Sequence, residues 1–235
     1  MQTVSSRPPA PAAPAGSRWA AALMPVTLAL IGGGAVILLG VLATSFAGVD
    51  NGFWYVSRSS ALVAYALLWA SMALGVAITN KLARVWPGGP LAFALHQHFS
   101  LLGLGFAIVH VVTLLGDTYI GYNLAQVLVP FAGSYAPFWV GLGQLAFYVL
   151  IPVTISFYVR KRLGTRAWRT IHGLSYLLFG LTLAHGLFSG TDSHSLWTVE
   201  LYWFTGAALL VLTLYRLALA RTGAPAPRSA ARTAR

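Results

Sequence analysis

Four histidines stand inside long uncharged stretches of the chain as two pairs of similar spacing. His96 and His110 are fourteen residues apart, and His172 and His185 thirteen. At about 1.5 Å of rise per residue, each pair spans roughly 20 Å of helix. That is most of a hydrocarbon layer about 30 Å thick. Two helices that each present an imidazole at two matching depths supply the axial ligands for two stacked haem irons. The chemistry this pattern suits is one-electron transfer across a membrane.

Helices in a bilayer must hold those side chains. Of the 235 residues, 57% are hydrophobic and 8% charged, where soluble domains carry about 25% charged. Uncharged runs of about 20 residues predict six spans, at 24–47, 59–80, 92–116, 138–159, 169–190 and 196–219. Residues 118–137 carry Gly121, Asn123, Pro130, Gly133, Ser134 and Pro137, so they read as a loop containing a short helix or re-entrant piece. Residues 1–18 and 221–235 read as disordered tails around one domain, 19–220. The expected fold is all-α, an integral membrane six-helix bundle binding haem b.

The charges orient the bundle. Arg7, Arg18, Lys81, Arg84, the run Arg160, Lys161, Arg162, Arg166 and Arg169, and everything from Arg216 onward fall on one side of the predicted spans. The positive-inside rule makes that side cytoplasmic, together with both termini. Arg58 and all four acids, Asp50, Asp117, Asp192 and Glu200, fall on the other side. The net charge of +11 is therefore topological, and nucleic acid is not an expected partner. The chain has no cysteine, which excludes thiolate-bound iron–sulfur clusters and Cys-attached haem.

Spans three and five run parallel, so His96 and His172 share the inner level and His110 and His185 the outer one. On an ideal helix His96 and His110 point within about 40° of each other. Gly103 lies midway on the same face and is expected to let a flat macrocycle approach the backbone. His172 and His185 are about 140° out of phase, which a bend near Gly180, supercoiling or rotamers must absorb. His98 reads as a hydrogen-bonding residue near the inner interface and His194 as an outer-loop residue. Arg58 is the candidate partner for an outer propionate, and Arg169, with Arg166 and Arg84, for inner ones. Phe106 and Phe179 fall between the levels. Trp54, Tyr55, Trp86, Trp139, Trp168 and Trp197 read as an interfacial belt.

The stretch His96 to Asp117, HQHFSLLGLGFAIVHVVTLLGD, resembles the first haem helix of the ferric reductase-like transmembrane family. Arg162 to Asp192, RLGTRAWRTIHGLSYLLFGLTLAHGLFSGTD, resembles the second. That family includes NADPH oxidases, ferric reductases and the membrane subunit of a periplasmic methionine sulfoxide reductase system. The resemblance implies two b haems, with His96 and His172 as inner ligands, His110 and His185 as outer ligands, and electrons moving outward. No G-x-G-x-x-G loop is present, and the chain ends about fifteen residues after its last span. The expected donor is thus a cytoplasmic flavin reductase carrying FMN or FAD, or a membrane quinol. The expected acceptor is periplasmic or extracellular: Fe(III), oxygen or a protein. Two alternatives stand beside this reading, a one-haem subunit of the methionine sulfoxide reductase type and a His-relay transporter or channel. The relay lacks a mid-membrane carboxylate or lysine to complete it.

Overall fold

The computed structural model describes residues 51–193 and 195–222. The predicted first span, residues 1–18 and 223–235, Asp50 and His194 lie outside them. The described residues form helices and no strand: α1 (Gly52–Thr79), a 3-10 turn (Leu82–Arg84), α2 (Gly89–Thr113), α3 (Leu124–Leu128), α4 (Pro137–Gly173), α5 (Ser175–Ser189) and α6 (Leu196–Thr222). Four stretches are long and apolar enough to cross a membrane: Gly52–Thr79, Gly89–Gly116, Pro137–Ser189 and Leu196–Arg221.

The third stretch has 53 residues, far more than the roughly 20 one crossing needs, and it doubles back. Gly164 leaves helical geometry with φ 78° and ψ 158°, a conformation open to glycine because it has no Cβ. The two arms then pack antiparallel. Trp139 stacks on Phe188 at 4.1 Å, Ala146 and Leu150 cluster with Leu178, and Phe157 meets Trp168. Spans ending at 159 and starting at 169 imply a link over 160–168. Helix instead continues to Leu163 and resumes at Thr165, because Arg, Lys and Leu are good helix formers and one glycine suffices for the turn.

The second hairpin is α1 against α2. The helices approach closely at Gly103, where an added Cβ would sit 3.3 Å from Leu68. Helix α6 closes the bundle through Tyr65, whose hydroxyl shares a 2.5 Å hydrogen bond with Thr205 Oγ1. The Trp69 indole N–H donates to the Thr205 carbonyl. Tyr65, Val76, Phe179, Tyr202 and Leu209 form the core there. Small hydroxyl residues of the apolar helices turn inward, Ser60 and Thr205 each donating to carbonyls of their own preceding turn.

Between α2 and α4, residues 117–136 fold over one end of the bundle. Helix α3 begins with a reciprocal capping box between Asn123 and Gln126. The Gln144 amide of α4 donates to the carbonyls of Gln126 and Val127, both at 2.8 Å, and Tyr148 donates to that of Leu128. Arg58, Asp117, Asp192 and Glu200 lie at this end, hereafter the acidic end. Lys81, Arg84 and the five basic residues around Gly164 lie at the other, the basic end. Antiparallel helices joined by short links impose that segregation.

Candidate functional site

The hairpin α1–α2 places two of the four histidines and holds them the same way. His110 Nδ1 donates to the Ser57 carbonyl at 2.9 Å, with Ser57 Oγ at 3.0 Å. Fourteen residues along each helix, His96 Nδ1 donates to the Ser71 carbonyl at 2.8 Å, with Ser71 Oγ at 3.0 Å. Ser100 joins the second group, 2.7 Å from Ser71 Oγ. An imidazole whose Nδ1 carries the proton for a carbonyl keeps its Nε2 lone pair for another partner. Gly75 lies against the same histidine, since a Cβ there would be 3.3 Å from His96 Cε1.

The hairpin of α4 and α5 places the other two. His185 Nδ1 donates to the Trp139 carbonyl at 3.0 Å and lies 3.0 Å from Ser189 Oγ. Its ring fills the space left by Gly143, where a Cβ would come within 2.6 Å of Nδ1. His172 differs. Its ring stacks on Trp168 at 5.4 Å and 24°, and its Nδ1 is buried with no hydrogen-bond partner among the described residues.

These anchors bring the imidazoles together as two pairs. His96 and His172 stand 6.0 Å apart, centre to centre, at the basic end. His110 and His185 stand 6.3 Å apart at the acidic end. Imidazole nitrogens bind a first-row ion such as zinc at about 2.0–2.1 Å, and with the ring centre roughly 1.1 Å behind the nitrogen, two opposed ligands lie about 6.3 Å apart. The ring separations of both pairs are of the size that would let two imidazoles share one metal between them. No group of three or more His, Cys, Asp or Glu side chains suited to a metal occurs among the described residues. Two imidazoles would fill only two of the six positions of an octahedral metal, so a metal held at either pair would need its other ligands from elsewhere.

The acidic-end pair opens onto a cleft with two lobes. One is walled by apolar side chains, among them Leu68, Ala107, Phe147, Leu150 and Leu178. The other is more polar and includes Arg58, Asp117, Tyr122, Asp192 and Tyr202. Arg58 pairs with Asp192 and stacks over the Trp54 ring at 4.7 Å. Asp117 is 5% exposed; one of its oxygens accepts from the Tyr119 amide and the other has no partner among the described residues. Burial pushes the Tyr122 phenol up, and it donates to the Tyr135 carbonyl at 3.0 Å.

Several readings change in detail. Gly103 faces Leu67 and Leu68 of α1, so its missing side chain serves helix packing rather than clearance for a macrocycle. A turn at Leu174, between His172 and His185, separates α4 from α5. Gly180 lies inside α5. Phe179 is stacked on Tyr65 within the α1–α6 core. Arg58 does line the acidic-end cleft, whereas Arg169 is exposed on the turn side of His172. His98 lies beside Phe99. Sequence reasoning missed Ser57 and Ser71, although their fourteen-residue spacing repeats that of His96 and His110. It also missed Gly143 as a neighbour of His185.

A family model described as "Ferric reductase like transmembrane component" matches residues 60–183, just over half of the chain. That stretch contains His96, His110 and His172 and stops two residues before His185. No curated protein and no solved structure matches the chain.

Proposed function

Because this chain belongs to the ferric reductase-like transmembrane family, we propose that it is a two-haem b-type cytochrome carrying single electrons across the membrane. His96 and His172 hold one haem and His110 and His185 the other. The observation that carries this reading is the pair of imidazole separations, 6.0 and 6.3 Å, each of which would let the two residues hold one haem iron between them. When bound, the haem irons supply one-electron chemistry at potentials set by ligands, hydrogen bonds and burial.

The chain's own residues do the rest. The Ser57, Ser71 and Trp139 carbonyls fix three imidazoles in the Nδ1–H form, which orients each ring and raises its basicity as a ligand. Apolar walls of the acidic-end cleft exclude water from one side of the His110–His185 pair, and low dielectric strengthens every charge effect inside. Arg58 is positioned to meet an anionic group such as a propionate, in exchange for or alongside Asp192. The basic end faces the cytoplasm by the positive-inside rule. Electrons then enter there from a flavoprotein or a quinol and leave at the acidic end.

Purified protein should show a Soret band and, after dithionite, a b-type α band with about two haems per chain. His110→Leu should remove the acidic-end haem and spare the other. A colourless folded protein would refute the reading, and one haem per chain would reduce it to a single-level subunit.

A further inference from the structure

The four imidazoles are not held alike. His96, His110 and His185 each donate Nδ1–H to a backbone carbonyl. His172 has no such acceptor among the described residues, and the indole nitrogen of Trp168, the ring stacked on it, is likewise buried without one. Position compounds the difference. His172 lies eight residues past the break at Gly164 and two before Leu174, where a turn separates α4 from α5 while the backbone stays in the helical region. Most of the segment Thr165–Gly173 is exposed, and no neighbouring atom lies within 4 Å of a Cβ built at Gly173. Trp168 of this segment meets Phe157, with ring centres 6.5 Å apart. His96 and His110 instead lie within one continuous helix clasped along its length by α1.

An acceptor on the far ring nitrogen orients a metal-bound histidine and strengthens its donation, and losing it typically costs about 10–100-fold in metal affinity. We propose that His172 is a releasable ligand. The basic-end pair can then exchange one imidazole for a small neutral ligand, while the His110–His185 pair stays closed. In that exchange His172 withdraws with its Nε2 lone pair and the incoming ligand supplies its own; nothing is oxidised or reduced. Trp168 acts here as a positioning residue that keeps His172 in place.

This inference rests on the two-haem reading, and carbon monoxide separates the two. Dithionite-reduced full-length protein is mixed with carbon monoxide and its difference spectrum recorded. The expected result is binding at about half of the haem, retained in His110→Leu/His185→Leu, where only the basic-end imidazoles remain. Trp168→Ala should speed binding by about 10-fold or more, on the scale of a lost ligand support. A b-type spectrum unmoved by carbon monoxide overturns the inference and leaves the cytochrome standing. So does equal binding at both levels, or binding that disappears in the double variant. Should the double variant not fold, wild-type stoichiometry and the Trp168→Ala rate decide, and an unchanged rate counts against the proposal. A colourless wild-type protein overturns both readings.

Discussion

Gly143→Ala is the sharpest test of how His185 is held. The added methyl would lie 2.6 Å from His185 Nδ1 and 2.7 Å from Cγ and Cε1. Favourable carbon contacts begin near 3.5 Å, so the ring must retreat by about 0.8–0.9 Å. Gly143 stands one turn from Trp139 on α4, whose carbonyl accepts the Nδ1 proton at 3.0 Å. Moving away from α4 therefore stretches that bond toward 3.8 Å, past any useful hydrogen-bond length. Overpacking of this kind costs about 1–3 kcal/mol. Charged to haem binding at the acidic end, that is roughly 5- to 150-fold in affinity. The assay is haem per chain by pyridine haemochrome at limiting haem, with the reduced α band recorded alongside. Acidic-end occupancy should fall while the basic-end signal persists. Gly180→Ala is the control, because a Cβ there meets nothing within 4 Å. Full occupancy with an unshifted spectrum in Gly143→Ala, or equal losses in both variants, would refute the reasoning.

The other perturbations probe separate contacts. Ser57→Ala and Ser71→Ala remove hydroxyls but keep the carbonyls that accept from His110 and His96. Each should cost about 0.5–1.5 kcal/mol of stability in chemical denaturation and leave haem content intact; haem loss would mean the hydroxyl is the anchor. Tyr65→Phe should lower thermal stability by about 1 kcal/mol by deleting the buried bond to Thr205, with no change in the optical spectrum. A spectral change would place Tyr65 in the redox site instead. For Arg58 and Asp192, both partly exposed, a double-mutant cycle to Ala should give a stability coupling of about 0.2–1 kcal/mol that shrinks in salt. A salt-insensitive coupling would contradict an ordinary ion pair.

Much of the site was legible before any coordinates. Charge placement makes spans three and five parallel, which sets His96 level with His172 and His110 level with His185; in the structure these rings lie 6.0 and 6.3 Å apart. The clasps on those histidines were harder to read. A serine in an apolar helix ordinarily bonds its own preceding turn, as Ser60 does, so one serine signals nothing. Only the matched spacing of Ser57 and Ser71 separates them from it. Gly103 and Gly143 look alike in sequence, each a glycine in a helix that carries or faces a histidine. Which neighbour each one meets depends on helix rotation, and that is decided by packing across the bundle rather than by local pattern. The turn at Gly164 was hidden for a related reason, since good helix formers surround it and one positive φ angle reverses the chain.

The two serine–histidine clasps also act as a gauge. Each links a residue of α1 to one of α2, and the two sit the same number of residues apart on both antiparallel helices. Sliding one helix along the other by a single residue would undo both at once. The vertical distance between the two histidine levels is therefore built into a double latch and does not adjust to the thickness of the surrounding lipid. A one-residue deletion in α1 between Ser57 and Ser71 could not be rescued by local repacking, but a matching deletion in α2 between His96 and His110 would let both latches close again.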